Sequence, residues 1–600
     1  PTAPPAPILP AVPSFPPFSA GPAAPPNAGD LAGVAQQPFV GLALADALAM
    51  ALQRNTDLAV AQSNRRIAAY HIIAAQGAYD TRFQLVPSYQ HSSSPAVSPF
   101  QAGPLGGPVV QDTAGVVTGV TGRTPSGGTF GVNAVASEVS SNSTVNGYNP
   151  FYNTALQFTL TQPLARGRAI DDPRRSLQLA QINAAVNAGS ALALASNVVV
   201  QTSNAYYDLV AAWQNVGIQE EGLRQASAQA QSNARLAARG ALAPTDIVEA
   251  NAQVAVFQDN VFAAIQNVGR LQTSLKSLIL ANPADPVWFA NLVPTSAVLP
   301  VPAEPALDAL VVAAIAHRPE VAQIRGARAS ADVNVVYARD QLRPQFDLGL
   351  GYTTNGFAGN PTDPNANPIF GLFGAQVAAI DALIARSNAS NPGQPPIQPL
   401  PAFSAAGPPY QTGGLGTSFR NLLQNRYPAY SAQLTYAIPL GNRTARANLA
   451  IAQEQQRQVQ VQEAALLQRF RMEAANAIQG LREARSRVAA ARAGREAAER
   501  VLLGEQRRFA AGTSTTFLVL QRQLDVANQR GREVQAQTDL DKAIVELNRV
   551  SGEIFTANNI DATSLGAGTL NGSTSSTLLP PAAPSASAAP LPLPSARPTR

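Results

Sequence analysis

The chain has no cysteine. Disulfides, cysteine-ligated zinc, iron–sulfur clusters, thiol nucleophiles and lipid attachment at an N-terminal cysteine of the chain as given are therefore excluded. Histidine is almost as scarce: His71, His91 and His317 are far apart and share no ligand spacing, so no metal site is expected. Charged residues make up only 13% of the chain and the net charge is +5, with no Lys/Arg run interleaved with aromatics to mark a nucleic-acid surface. No stretch meets the ~20-residue apolar criterion for a transmembrane helix; the longest uncharged segment, about 182–207, is broken by Asn, Ser and Gln. A membrane span, if the chain makes one, must then be built of β-strands. No Ser/His/Asp set, Gly-rich phosphate loop or paired carboxylates stand in a site context, so neither an enzyme nor a cofactor is expected. The opening PTAPPAPILPAVPSFPPF has no signal-peptide pattern and suggests a mature form.

What is present is a pattern written twice. LALADALAMALQRNTDLAVAQSNRRIAA, a helix to about Tyr79 and RFQLVPSYQ correspond to PALDALVVAAIAHRPEVAQIRGARASA, a helix to about Leu342 and PQFDLGLGY. QFTLTQPLARG (157–167) then matches QLTYAIPLGNR (433–443), and each is followed by a long helical stretch, a break at Gly240 or Gly512, and a second helix. The order in both halves is helix, strand, strand, long helix, turn, long helix. The expected organisation is a Pro/Ala-rich N-terminal extension (1–35), a first repeat (36–280), a Pro-rich linker (281–305), a second repeat (306–555) and a disordered C-terminal tail (556–600). Two inserts interrupt the strand pairs. The one at 92–150 contains a hairpin around Ser126-Gly127-Gly128, and the one at 355–427 a short helix near 374–386.

The long helices, about 172–239 and 444–511, each approach 70 residues. At ~1.5 Å per residue each spans roughly 100 Å, too long for a globular domain. Ile247, Ala250, Val254, Phe257, Val261, Ala264, Val268, Leu271, Leu275 and Leu278 alternate three and four apart, which predicts a heptad seam. A second seam runs through Leu467, Phe470, Ala474, Ala477, Leu481, Ala484, Val488 and Ala491. By themselves these helices fit a coiled-coil rod equally well.

The strands decide between the two. Phe83, Leu85 and Tyr89 share one face; so do Leu156, Phe158 and Leu160; Phe346, Leu348, Leu350 and Tyr352; and Tyr430, Ala432, Leu434, Tyr436 and Ile438. The opposite faces are small or polar. Each strand is about ten residues long, as a membrane barrel strand would be. Four strands cannot close a barrel, and an open edge in lipid leaves backbone groups unpaired. Closure therefore requires several copies, and three would give about twelve strands around an aqueous pore.

In this arrangement the chain resembles the TolC-type outer-membrane efflux proteins (outer membrane factors) over about 40–555. The resemblance rests on the duplicated order, on Asn55-Thr56-Asp57-Leu58 and Arg318-Pro319-Glu320-Val321, on Gln162-Pro163-Leu164 and Ile438-Pro439-Leu440, and on the Gly-centred tips. It implies an α+β membrane protein: a homotrimer whose twelve-stranded outer-membrane β-barrel, four strands per chain, is continuous with a coiled-coil periplasmic tunnel. It further implies a passive exit duct of a tripartite efflux pump or type I secretion system. The partners would be a periplasmic adaptor (membrane fusion) protein, an inner-membrane transporter and outer-membrane lipid. The tip residues implied to meet the adaptor are Arg239, Gly240, Leu242, Thr245, Asp246, Gly512, Thr513 and Ser514. Asp246 also reads as a plain capping residue, with Glu249 three positions on. Family members close the mouth with an Arg after the second Gly and narrow it with acidic residues. Here those places hold Ser514, Leu518 and Gln521, so a gate would fall to Phe517, Leu518 and Gln521, with Asp525 one turn on as the nearest carboxylate. The competing readings are a coiled-coil surface or adhesin-like protein and a soluble scaffold, neither of which accounts for four strands in phase.

Overall fold

The computed structural model describes residues 39–97, 101, 107–240, 242–296, 300–363, 368–400 and 407–561. The expected N-terminal extension and residues 562–600 of the expected tail lie outside them. The helices come in pairs along the chain. The first half has α1 (Leu44–Arg54), α2 (Thr56–Gln76), α3 (Asp172–Ala238) and α4 (Pro244–Ile279). The second has α5 (Leu307–His317), α6 (Pro319–Asp340), α9 (Arg443–Ala510) and α10 (Thr516–Ser551), with a last short α11 (Ile554–Ala557). The second insert carries α7 (Pro368–Ser390), where a helix was expected, and α8 (Leu415–Leu423), where none was.

The chain divides into two compact units, one of residues 1–63, 188–321 and 469–600 and one of residues 64–187 and 322–468. The first is helical. Its largest core packs Leu44, Ala47 and Leu48 of α1 against Tyr206, Leu209 and Trp213 of α3 and Leu275 and Ile279 of α4. The heptad seam of α4 is its buried stripe, with Ala250, Phe257 and Leu275 fully enclosed. In α9 the seam begins at Phe470; Leu467, expected to open it, is exposed. By length and composition α3 is apolar enough to cross a membrane, contrary to the expectation from its Asn, Ser and Gln residues. In this unit, though, Ala195, Val198, Val199 and Tyr206 of that helix are core residues.

The linker contributes a strand. Its Asn291–Pro294 forms strand β6, which pairs in parallel with β1 (Phe39–Leu42), a two-stranded sheet too short to show alternation in the sequence. Side chains of α3 and α4 hold it. The Tyr206 hydroxyl donates to the Leu42 carbonyl at 2.9 Å and accepts from the Thr295 and Ser296 amides at 3.1 and 3.0 Å. Trp213 Nε1 donates to the Leu292 carbonyl at 2.9 Å. Lys276 Nζ donates to the Trp288 and Ala290 carbonyls, and burial lowers its pKa.

The second unit is built on one antiparallel sheet in the order β2-β3-β4-β5-β7-β8. The strands are β2 (Arg82–Ser94), β3 (Val109–Arg123), β4 (Thr129–Ser141), β5 (Tyr148–Pro163), β7 (Gln345–Pro361) and β8 (Tyr427–Ala437). The expectation of four strands per chain is therefore corrected to six. The hairpin of the first insert turns where expected, with Gly127 at φ +87°, but both its arms are laid into the sheet between β2 and β5. The reason is that β3 and β4 are themselves alternating strands of 15 and 13 residues and satisfy their backbone groups on both sides.

Candidate functional site

The cross-strand register puts every expected apolar face on one side of the sheet. Phe83, Val120, Val132, Phe158, Tyr352 and Tyr430 form one row across all six strands. Phe158 stacks on Tyr352 with ring centroids 6.0 Å apart, and Tyr352 lies 5.2 Å from Tyr430. Levels can be counted from the sheet end where β2 and β7 begin. One residue in stand Phe83, Phe130, Phe346 and Tyr436; seven in stand Tyr89, Val116, Ala136, Leu156, Tyr352 and Tyr430. Nine in, the same face turns to His91, Glu138, Thr154, Thr354 and Pro428. Between the aromatic ends lie Leu85, Val120, Val132, Phe158, Leu160, Leu348, Leu350 and Leu434. The two aromatic levels stand six residues apart, about 16 Å along the axis for strands tilted by roughly 36°, and the rings at each end extend this toward the ~25 Å apolar band of a membrane barrel with its two aromatic girdles. Its members are open to solvent where a soluble sheet would cover them: Phe83 and Tyr89 are 71% and 70% exposed. The opposite face carries Gln84, Ser88, Gly119, Asn133, Gln157, Thr159, Gly351 and Ser431, which suits water.

Beyond the belt the outer part of this face is covered. α8 lies on β5 and β7, where Thr154 Oγ1 meets Ser418 Oγ at 2.9 Å and Thr354 Oγ1 donates to the Leu422 carbonyl at 3.0 Å. Gly356 permits the contact, since a Cβ there would lie 2.0 Å from the Ser418 carbonyl oxygen. His91 and Tyr89 both reach the Asp112 carboxylate at 2.8 Å, closing the belt on the β2 side.

The helical tips lie in the first unit. Gly240 and Gly512 take the left-handed conformation expected of them, φ +73° and +74°. The Thr513 amide donates to the Arg508 carbonyl at 2.9 Å and its hydroxyl to the same oxygen at 3.1 Å; Ser514 bonds Glu505. Asp246 is a capping residue, but α4 starts at Pro244, so Asp246 sits on the third helical position and not at the cap. Its Oδ2 accepts from the Ala243 amide at 3.1 Å. Arg239, Gly240 and Thr245 are exposed, and Leu242 is half-buried. Leu520 packs against Ala230 and Ala250, so the start of α10 is joined to the α3–α4 tip. Of the residues expected to gate, Phe517 and Gln521 are exposed one turn apart, whereas Leu518 is half-buried. Asp525 is paired with Arg522 at 2.8 Å.

Two features went unread in the sequence. Arg318-Pro319-Glu320 is the centre of a buried charge cluster: the Arg318 guanidinium donates to Glu473 at 2.6 Å and Glu320 at 2.7 Å, and lies 4.1 Å over the Phe470 ring. Farther along α10, Asp541 is buried with one hydrogen bond, from Gln537 at 3.3 Å, and no cation beside it. Burial pushes its pKa up to about 6. A carboxyl so raised costs the fold nothing below its ordinary pKa, and the full penalty applies above pH 6. Asp541→Asn is thus expected to raise stability by on the order of 2 kcal/mol at pH 8 and to leave it unchanged near pH 3.5. Thermal melting of both proteins at the two pH values checks this; an equal shift at both would contradict it. Among the described residues no group of His, Asp and Glu is arranged to hold a metal.

The profile of the family described as outer membrane efflux protein matches residues 401–553. Solved structures match over most of the chain. The outer-membrane channel OprN is 16% identical, with 85% of this chain and 90% of that chain covered at a TM-score of 0.54. The family match covers 401–553 of the 600 residues, and the likeness to the solved structures is one of fold. The chain shares its fold equally with the CmeC outer membrane channel of Campylobacter jejuni (14% identity, 87% and 88% covered, TM-score 0.54). The open state of the Neisseria gonorrhoeae MtrE outer membrane channel is similar too (15%, 85% and 89%, 0.53). No curated protein matches the chain by sequence.

Proposed function

We propose that this protein is the outer-membrane exit duct of a tripartite pump or type I secretion system, a passive channel that three copies build together. The observation that carries the reading is the apolar belt between two aromatic girdles on a sheet with two free edges. Such a face is stable in lipid, and such edges are tolerated there only when closed. The coiled-coil adhesin reading leaves this belt in water and is not favoured. The periplasmic mouth is assigned to the tips at Gly240 and Gly512. Arg239, Leu242, Thr245, Asp246, Thr513 and Ser514 are the adaptor-facing residues, and an inner-membrane transporter supplies energy and chooses cargo.

Phe517, with Gln521 on the same exposed face, is the proposed constriction. Asp525 adds little field there, because Arg522 offsets its charge. In planar bilayers under a salt gradient the channel is expected to pass K⁺ and Cl⁻ with permeabilities within about threefold of each other. Phe517→Asp should shift the reversal potential toward cation selectivity. Strong cation selectivity of the unaltered protein, or no change in the variant, would refute this mouth.

A further inference from the structure

We propose that β2 pairs with β8 of a neighbouring copy in the register that sets Tyr89 opposite Tyr430, so that each copy supplies six strands and a three-copy barrel has eighteen. The inference deepens the duct reading and rests on it. Its starting point is that β2 and β8 are the two edges of a fully paired six-stranded sheet. In one chain they are separated by five strand spacings of ~4.8 Å, so neither edge can satisfy the other. Their directions fit between copies. Strands alternate across the sheet, β2 running away from the helix-joined end and β8 toward it, so a head-to-tail junction is antiparallel and closes as a ring.

The register follows from the stagger already in the sheet. Along the row from Phe83 to Tyr430, the residues stand one, three, three, five, seven and seven positions from the helix-joined end. The row thus climbs about one residue per strand. Equal shear and strand number is the geometry of a barrel with strands tilted by ~36°. The row that ends at Tyr430, seven residues in, continues at the same level into Tyr89 of the next copy, also seven in. The junction then sets Leu434 opposite Leu85 and Tyr436 opposite Phe83 on the apolar face. Ser431 falls opposite Ser88, and Thr435 opposite Gln84, on the polar face. Both aromatic girdles run unbroken across the seam. Shifting by two residues would place His91 against Tyr430 and Tyr89 against Ala432, and would break the upper girdle.

The consequence is a wide outer pore. At ~4.8 Å between strands and ~36° tilt, eighteen strands give a barrel about 34 Å across between backbones, against about 23 Å for twelve. The polar inner face is lined by small residues, Gly115, Gly119, Gly131, Gly349 and Gly351 among them, which adds to the free width.

The absence of cysteine makes the test clean. Ser88→Cys and Ser431→Cys are introduced together, the protein is oxidised in outer membranes, and unreduced samples are separated under denaturing conditions. The expected result is linked species of two and three copies and none larger, absent in either single variant, with much less linkage for Ser88→Cys/Gln433→Cys. Dominant linkage of that second pair would overturn the register. A ladder ending at two copies would overturn the eighteen strands. Electron microscopy of the unaltered oligomer gives an independent reading: a barrel near 34 Å supports the proposal, and one near 23 Å rejects it even if the cysteines fail to link. A conducting oligomer in which neither pair links and the barrel is narrow sinks the seam but leaves the duct. Protein released without detergent and silent in bilayers sinks the duct itself.

Discussion

Glu473→Gln is expected to lower stability by about 3 kcal/mol at neutral pH, the cost of removing one partner from a buried ion pair. The cluster joins three elements. Arg318 stands between α5 and α6, Glu473 on α9, and Arg549 on α10, which reaches Glu473 at 3.2 Å while Arg469 bonds its other oxygen at 2.7 Å. Arg318 is 2% exposed and has no water to turn to when its carboxylate is lost. Burial would raise the Glu473 pKa, but the hydrogen bonds from Arg318 and Arg469 and the charges of Arg318 and Arg549 outweigh it and hold it at about 2. A carboxylate with a depressed pKa stabilises the fold above its unfolded value near 4.5, and that contribution is lost as pH falls toward 2. The difference between wild type and Glu473→Gln should therefore be full at pH 7 and close to nothing near pH 2. Urea or thermal unfolding of the detergent-solubilised protein across this range measures it; a difference independent of pH would remove the ion pair from the account.

The second large effect is expected where α3 and α4 cross. Phe257 is fully buried beneath Gly222, and a Cβ on that glycine would lie 2.3 Å from the Phe257 ring. Glycine to alanine inside a helix ordinarily stabilises by up to ~1 kcal/mol. Here the sign reverses: Gly222→Ala overpacks the crossing and should cost about 1–3 kcal/mol. Phe257→Ala leaves a cavity and should cost about 3–5 kcal/mol. In the double variant the new methyl group enters the space the ring has left, so the two costs fall short of additivity by at least ~1 kcal/mol. Strict additivity would show that the ring and the glycine do not touch.

Much of this was legible because helices and strands write their burial into one-dimensional periods. The α4 seam from Ala250 to Leu275 and the two glycine tips stand where the sequence put them. The apolar faces of the four expected strands coincide in space as well. What escaped reading depends on pairing. The arms of the hairpin carry glycines at Gly115, Gly119 and Gly131 on the polar face, so the hairpin read as an insert between the strands and not as part of their sheet. The strand at 291–294 is too short to alternate, and α8 is only nine residues long and buries Ser418 and Asn421 beside Leu422. The role of Arg318 was hidden because its partner Glu473 is 155 residues away, and Arg549, which shares that carboxylate, is farther still. Similarly, Leu467 fits the heptad arithmetic of its neighbours, yet no other helix covers it.

The most direct test of the duct is the behaviour of the protein extracted in detergent and left unboiled. The account predicts a three-copy species that needs detergent to stay in solution, contains both helix and strand, and opens water-filled channels in a planar bilayer. A helical species that dissolves without detergent and carries no current would contradict it and return the chain to the coiled-coil proteins.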